Sequence, residues 1–180
     1  MQFTEIDLNT WHYILHPRPV VIVVSEGWED YSAMPASWVT PVSRSPPVVA
    51  IAIARSRHTY SLILRYREFA LCVLGAEHAK SIHILGSVSG RDVRDKIAYA
   101  GLSKARAKRV SCPIIAESLA AAECSLIRDA EVGDHNLVLG EVLVAYVRTG
   151  VRLLNTESYS LALHMGRNRY AKPSQQVVEV

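Results

Sequence analysis

Ser56-Arg57-His58-Thr59 places two hydroxyls, a guanidinium and an imidazole where an apolar run ends and a helical pattern begins. The N–H groups of a helix start carry partial positive charge, so this junction suits an anion, with Arg57 adding a fixed charge and a forked donor. The same residues also fit an ordinary helix start in which Ser56 or Thr59 caps the first turn and Arg57 faces water. A second junction, Ser87-Val88-Ser89-Gly90-Arg91 followed by Lys96, offers Ser87, Ser89 and Lys96 to an anion. The stronger reading is a capping box from Ser89 to Asp92, with Arg91, Asp92, Arg94, Asp95 and Lys96 on a solvated charged face, because the Asp residues already satisfy the helix dipole without a ligand.

Two further stretches could act on a flat ligand. Met34, Pro35, Ala36, Ser37, Trp38, Val39 and Thr40 surround one indole with mostly small side chains. Small residues let a planar ring approach the backbone, whose donors and acceptors can read its edge; the alternative is an edge strand with Trp38 in the core. Gly133-Asp134-His135 puts an imidazole at a turn, where His135 could contact a substrate ring or move a proton, or simply face solvent.

The elements that must position these residues follow from periodicity. Val20 to Val24 is a β-branched run ended by Ser25-Glu26-Gly27, a buried strand followed by a turn over residues 28–31. Ser32 to Ser43 reads as one irregular strand, and Pro35 and Pro41 confine it to a sheet edge because they lack ladder donors. Val48 to Ala54 is a strand, His58 to Arg67 a short helix, Phe69 to Leu74 a strand and Glu77 to Leu85 a second helix. The capping box predicts a third helix from Ser89 to about Ala100, stopped by Gly101. Strands are expected at Arg109 to Ile115, Ala120 to Ala130 and Asn136 to Arg148, the last two forming a hairpin with a wide tip over Glu131 to His135. The tail from Asn155 is less regular. Two strand-rich regions around a helical middle predict a mainly β fold, antiparallel, with helical insertions.

Composition removes several function classes. A chain of 180 residues holds one domain, residues 1–180, and its formal charge of +3 with scattered basic residues does not argue for nucleic acid. The basic run Lys104 to Arg109 reads as a solvated helix end or loop. Cys72, Cys112 and Cys124 have no C-x-x-C spacing and read as buried small hydrophobes in a reducing compartment, with no metal site. No export pattern and no apolar run of about 20 residues occurs, so a cytoplasmic protein without a membrane segment is expected. The dinucleotide, P-loop, zinc-protease and nucleophile-elbow motifs are absent.

Taken in order, the pieces resemble the flavin reductase-like family of FMN-binding split β-barrels over roughly Pro17 to Tyr170. They are Arg18-Pro19-Val20-Val21-Ile22-Val23, Ala33 to Ser43 running into Ser45-Pro46-Pro47-Val48-Val49, and His58-Thr59. Further on come Ser87 to Asp92 with Asp95-Lys96, Val132-Gly133-Asp134-His135, and His164-Met165-Gly166 with Tyr170. Met34-Pro35 stands where many members carry an Asn-containing turn. The resemblance implies an FMN-binding split barrel and a homodimer with flavin near the subunit boundary. It further implies that Met34 to Thr40 lies along the flavin ring, and that Ser56, Arg57, His58 and Thr59 with Ser87, Ser89 and Lys96 gather the ribityl chain and phosphate. His135 is then placed where NADH or NADPH would stack. The implied activity is an NAD(P)H-dependent flavin reductase passing electrons to free flavin, ferric iron or a partner oxygenase. A flavoredoxin-like carrier without a nicotinamide site and a cofactor-free interaction module are the alternatives.

Overall fold

The structure, a computed structural model, describes residues 2–26 and 31–174. Of the turn predicted at residues 28–31, the first three residues lie outside the described ones, as do the last six residues of the irregular tail.

Strand β1 (Arg18–Pro19) is followed by β2 (Val21–Glu26), β3 (Tyr31–Ala36), β4 (Val39–Arg44) and β5 (Pro47–Ala54). Helix α1 (His58–Tyr66), β6 (Glu68–Val73), α2 (Ala79–Ser87) and α3 (Lys96–Tyr99) come next. The two-residue strands β7 (Lys104–Ala105) and β8 (Ile114–Ile115), the long β9 (Ala120–Val132) and β10 (His135–Val147), and β11 (Leu163–Gly166) with β12 (Arg169–Ala171) complete the order.

Seven strands form one antiparallel sheet in the order β3-β2-β6-β9-β10-β5-β4. The proline argument holds: β3, with Pro35, and β4, with Pro41, are the two edge strands. They are not one irregular strand, however. Only Ser37 and Trp38 separate them, so the chain steps from one edge of the sheet to the other in two residues. The sheet must curl to permit this, and the Ala52 N–H donates to the Trp38 carbonyl at 2.9 Å across the step.

The curl explains the uninterrupted apolar run of β2. Val20, Ile22 and Val24 enter one core with Ile82, Leu85, Ile97 and Ile115, while Val21 and Val23 enter another with Ile51, Ile63, Phe69 and Val138. A strand buried on both faces cannot alternate polar with apolar residues. α1 closes the second core through Tyr60 and Ile63; α2 and α3 cover the first through Ile82, Leu85 and Ile97.

Several expectations are corrected. The helix expected from Ser89 shrinks to Lys96–Tyr99, because Asp95 is the capping residue, its carboxylate accepting the Ala98 N–H at 2.8 Å. Ser89 closes one local turn instead, its side chain accepting the Arg91 N–H and its carbonyl those of Asp92 and Val93. The strand expected over Arg109 to Ile115 is mostly loop, since the N–H groups of Lys108, Arg109 and Val110 all turn onto the carboxylate of Glu123 and are lost to any ladder. The hairpin tip is tight, not wide: Val132 pairs with His135 and only Gly133 and Asp134 turn the chain, with Gly133 at φ 59° where a side chain would be strained. The tail folds back as the β11–β12 hairpin, which pairs with β1. No helix among the described residues is long and apolar enough to cross a membrane.

Candidate functional site

The β3–β4 step, the β5–α1 turn, the α2–α3 connection and the tip of β10 converge on one cleft of about 450 Å³. Its lining includes Met34, Pro35, Ala36, Ser37 and Trp38 from the first, and Ser56, Arg57, His58 and Thr59 from the second. Ser87, Ser89 and Lys96 come from the third and His135 from the fourth. Val39 and Thr40 do not line it: Val39 packs against the second core, and the exposed Thr40 donates to the Pro41 carbonyl. Residues not offered as ligands in the sequence also face the cleft, among them Ser32, Ala52 and Gly86, together with Arg91, which in sequence reads as part of a solvated charged face. Ser32 and Ala52 lie in ordinary strand sequence, and nothing local marks them.

α1 opens at Arg57 without any side-chain cap. Thr59, buried, donates its hydroxyl to Ser32 at 2.9 Å instead of capping. The donors of the first turn are therefore not consumed by a cap, which leaves the helix start suited to an external acceptor.

Opposite this turn lies Lys96, 3% exposed. Burial, with a smaller contribution from the Arg57 charge, pushes its pKa down to about 8. Among the described residues it forms no ion pair, and no carboxylate lines the cleft. A buried ammonium without a counter-charge is costly unless an anion joins it. Asp95, the residue before it, is engaged elsewhere: it accepts from the Tyr31 hydroxyl and from Lys104 Nζ. These partners hold its carboxyl below the usual range despite the opposing effect of burial, the largest single influence. Arg91 donates to the Ser56 carbonyl at 3.2 Å, drawing the two turns together. Gly90 is tightly placed between them: a Cβ there would come within 2.7 Å of His58 Cδ2 and 2.8 Å of Ser32 Oγ. Cations, hydroxyls and an uncapped helix start thus share one region.

A second region is aromatic. Trp38, 36% exposed and so not in the core, stacks on His135 with ring centroids 4.9 Å apart and planes at 22°. The Arg18 guanidinium lies 5.4 Å from the indole centroid and the His12 ring 5.6 Å from it. His135 is half-buried, at the first position of β10, with Nδ1 2.7 Å from Asp134 Oδ1. That contact and the charge behind it lower the Asp134 carboxyl below its ordinary value.

The tip that carries His135 is tied down rather than free. Tyr60 of α1 donates to Asp129 at 2.8 Å, and Asn136 Nδ2 donates to both Tyr60 and Asp129. Burial, then the Asp129 hydrogen bond and charge, raise the Tyr60 hydroxyl. Arg55 bonds Glu131 at 2.8 Å and the Gly133 carbonyl at 3.0 Å. The distance between the aromatic and cationic regions is set by these links between β10 and the β5–α1 turn.

A smaller cavity of about 240 Å³ adjoins the cleft across Pro35, Ser37, Gly86 and Ser87, with His83, His164, Arg167 and Tyr170 on its far side. His164 and Tyr170, noted in the sequence, meet there. Among the described residues no group of three or more His, Cys, Asp or Glu side chains is disposed to hold a metal ion.

Comparison with known proteins gives a consistent result. Residues 13–168 match the family described as flavin reductase like domain. The chain is 34% identical over 175 residues to an uncharacterized protein of Aeropyrum pernix, covering 96% of this chain and 66% of that protein's length. It is 31% identical over 128 residues to the NADH-dependent FAD reductase of Streptomyces globisporus, covering 69% of this chain and 68% of the relative. Among solved structures, the FMN-binding protein of Thermus thermophilus with bound 1-cyclohex-2-enone matches with a TM-score of 0.85 at 26% identity, over 100% of this chain and 99% of that one.

Proposed function

From its membership of the flavin reductase-like family, to which the chain belongs, we propose that it is a single split-barrel domain that binds FMN and oxidises NADH or NADPH. Electrons pass through the flavin to free flavin, ferric iron or a partner protein such as an oxygenase. The observation that carries this reading is the 450 Å³ cleft, which sets an unpaired buried Lys96 beside Arg57 and an uncapped helix start while containing no described carboxylate. That donor set fits a phosphate dianion. Gly90 packs directly against His58 and Ser32, both of which line the cleft, so a side chain there would displace cleft residues.

In this reading Arg57, Lys96 and the first turn of α1 hold the phosphate, and Ser87 and Ser89 face the ribityl chain. Met34 to Trp38 lie along the ring, where small residues leave backbone groups accessible to its edge. Bound flavin supplies the ability to accept a hydride and release the electrons singly or in pairs. The chain positions the nicotinamide: His135, steadied by Asp134 and by the Tyr60–Asp129–Asn136 cluster, presents a ring face beside Trp38. Hydride delivery requires no proton from the protein, so the role of His135 is to orient the nicotinamide. A homodimer is part of the proposal, supported by Trp11, Ile14 and Leu15, exposed apolar side chains close in sequence that a second copy would cover.

The test is direct. Purified protein titrated with FMN is expected to bind it with displaced flavin absorbance, and to consume NADH or NADPH when flavin is added. Binding without nicotinamide oxidation assigns an electron carrier instead, and absence of flavin binding removes the proposal.

A further inference from the structure

The basic run Lys104 to Arg109 takes no part in the cleft, and its setting is unusual. Glu123 of β9 is wholly buried, yet no cation pairs with it among the described residues. Its Oε1 accepts the Lys108 N–H at 2.8 Å, and its Oε2 accepts those of Arg109 and, at 3.1 Å, Val110. One strand over, Glu68 Oε1 accepts the Ser111 N–H at 2.6 Å. Pairing of β7 with β8 closes the base of the loop.

Four consecutive backbone donors are therefore fixed on two carboxylates from the sheet. Removing Glu123 from water is costly, and among the described residues this set of N–H bonds is what offsets the cost. The result is a rigid loop whose Arg106, Lys108 and Arg109 are exposed around an open concavity of about 550 Å³, lined by no described carboxylate. Lys104 pairs with Asp95 at 3.0 Å, and Lys108 Nζ lies 5.1 Å from the centroid of the Tyr146 ring. Like charges held side by side repel one another, and an anionic partner relieves that repulsion.

We propose that loop 104–111 is a docking surface for a carboxylate-rich segment of a protein partner. The cations line an open concavity and not a closed pocket, so they match a run of Asp and Glu better than a single small anion. The loop itself carries no aromatic side chain, and the ring beside it, Tyr146, is taken by Lys108 and packs against the first core, which disfavours stacking of a nucleic-acid base. Through the Lys104–Asp95 pair it abuts the start of α3, whose Lys96 lines the cleft, so a docked partner lies beside the proposed flavin site. The inference stands on charge and geometry alone and holds whether or not flavin binds.

The experiment uses the full chain and a fluorescent twelve-residue peptide of alternating Glu and Asp, with a twelve-nucleotide single-stranded DNA and pyrophosphate as comparisons. The peptide is expected to bind with an affinity that falls as salt rises. Arg106→Ser/Lys108→Ser/Arg109→Ser is expected to weaken it about tenfold or more. Glu123→Gln keeps every cation but replaces an acceptor with a donor facing the loop N–H groups, and is expected to weaken binding several-fold. If that variant does not fold, Glu68→Gln, which releases only Ser111, carries the same expectation. Equal binding by the triple variant overturns the proposal, as does unchanged affinity in the folded Glu variant. Tighter binding of the oligonucleotide, or displacement of the peptide by pyrophosphate at equimolar concentration, also overturns it.

Discussion

Replacing Lys96 by Met should make the flavin-free protein more stable while weakening its hold on FMN. Met keeps an unbranched apolar side chain in the buried position and removes only the ammonium. Holding a proton on a group whose pKa has fallen from 10.5 to about 8 costs about 3 kcal/mol at pH 7. Below pH 8 both folded and unfolded chains carry the charge, so the penalty is complete. Between pH 8 and 10.5 the folded chain releases a proton that the unfolded chain retains, and stability from this group rises with pH until the penalty is gone. Lys96→Met should therefore raise the melting temperature of apo protein at pH 7 by about 6–12 °C for a chain of this size. The gain over the unaltered protein should shrink toward pH 10. Thermal unfolding of both proteins at several pH values, followed by FMN titration at pH 7, measures the two effects. If the variant is less stable at pH 7, or its difference is constant from pH 7 to 10, Lys96 has a counter-charge and the argument for an anion at that point fails.

His135→Ala should lower the rate of nicotinamide oxidation at least tenfold while FMN affinity stays within about twofold, as steady-state kinetics and flavin titration will show. Tyr60→Phe removes a hydroxyl that donates to Asp129 and accepts from Asn136. It should cost about 1–3 kcal/mol in urea unfolding and raise the KM for nicotinamide more than it changes FMN affinity, since it loosens the β10 tip. Gly90→Ala, forced against His58 and Ser32, should release FMN more readily with a loss of at most about 1–3 kcal/mol in stability.

Sequence alone determined what depends on neighbours along the chain. The β-branched run at Val20 to Val24 could only be a buried strand, Pro35 and Pro41 required sheet edges, and the apolar segments around residue 133 required a hairpin. The junctions at Ser56 to Thr59 and Ser87 to Lys96 stood out because hydroxyls and cations met at a change of periodicity, but whether they cap helices or face one cleft could not be read there. Tertiary structure decided the rest, because the forces involved join residues far apart in sequence. Glu123 drew the Arg109 and Val110 backbone out of a strand that local propensity favoured. Asp95, steadied by Tyr31 and Lys104, started α3 six residues later than the Ser89 signal indicated. The two-residue step from β3 to β4 exposed Trp38 and carried it onto His135, a contact across nearly a hundred residues that no pattern in either segment announces. Burial of Lys96 is likewise a property of the packed molecule: in sequence it is one charge among several, and only the enclosing fold removes it from water and lowers its pKa.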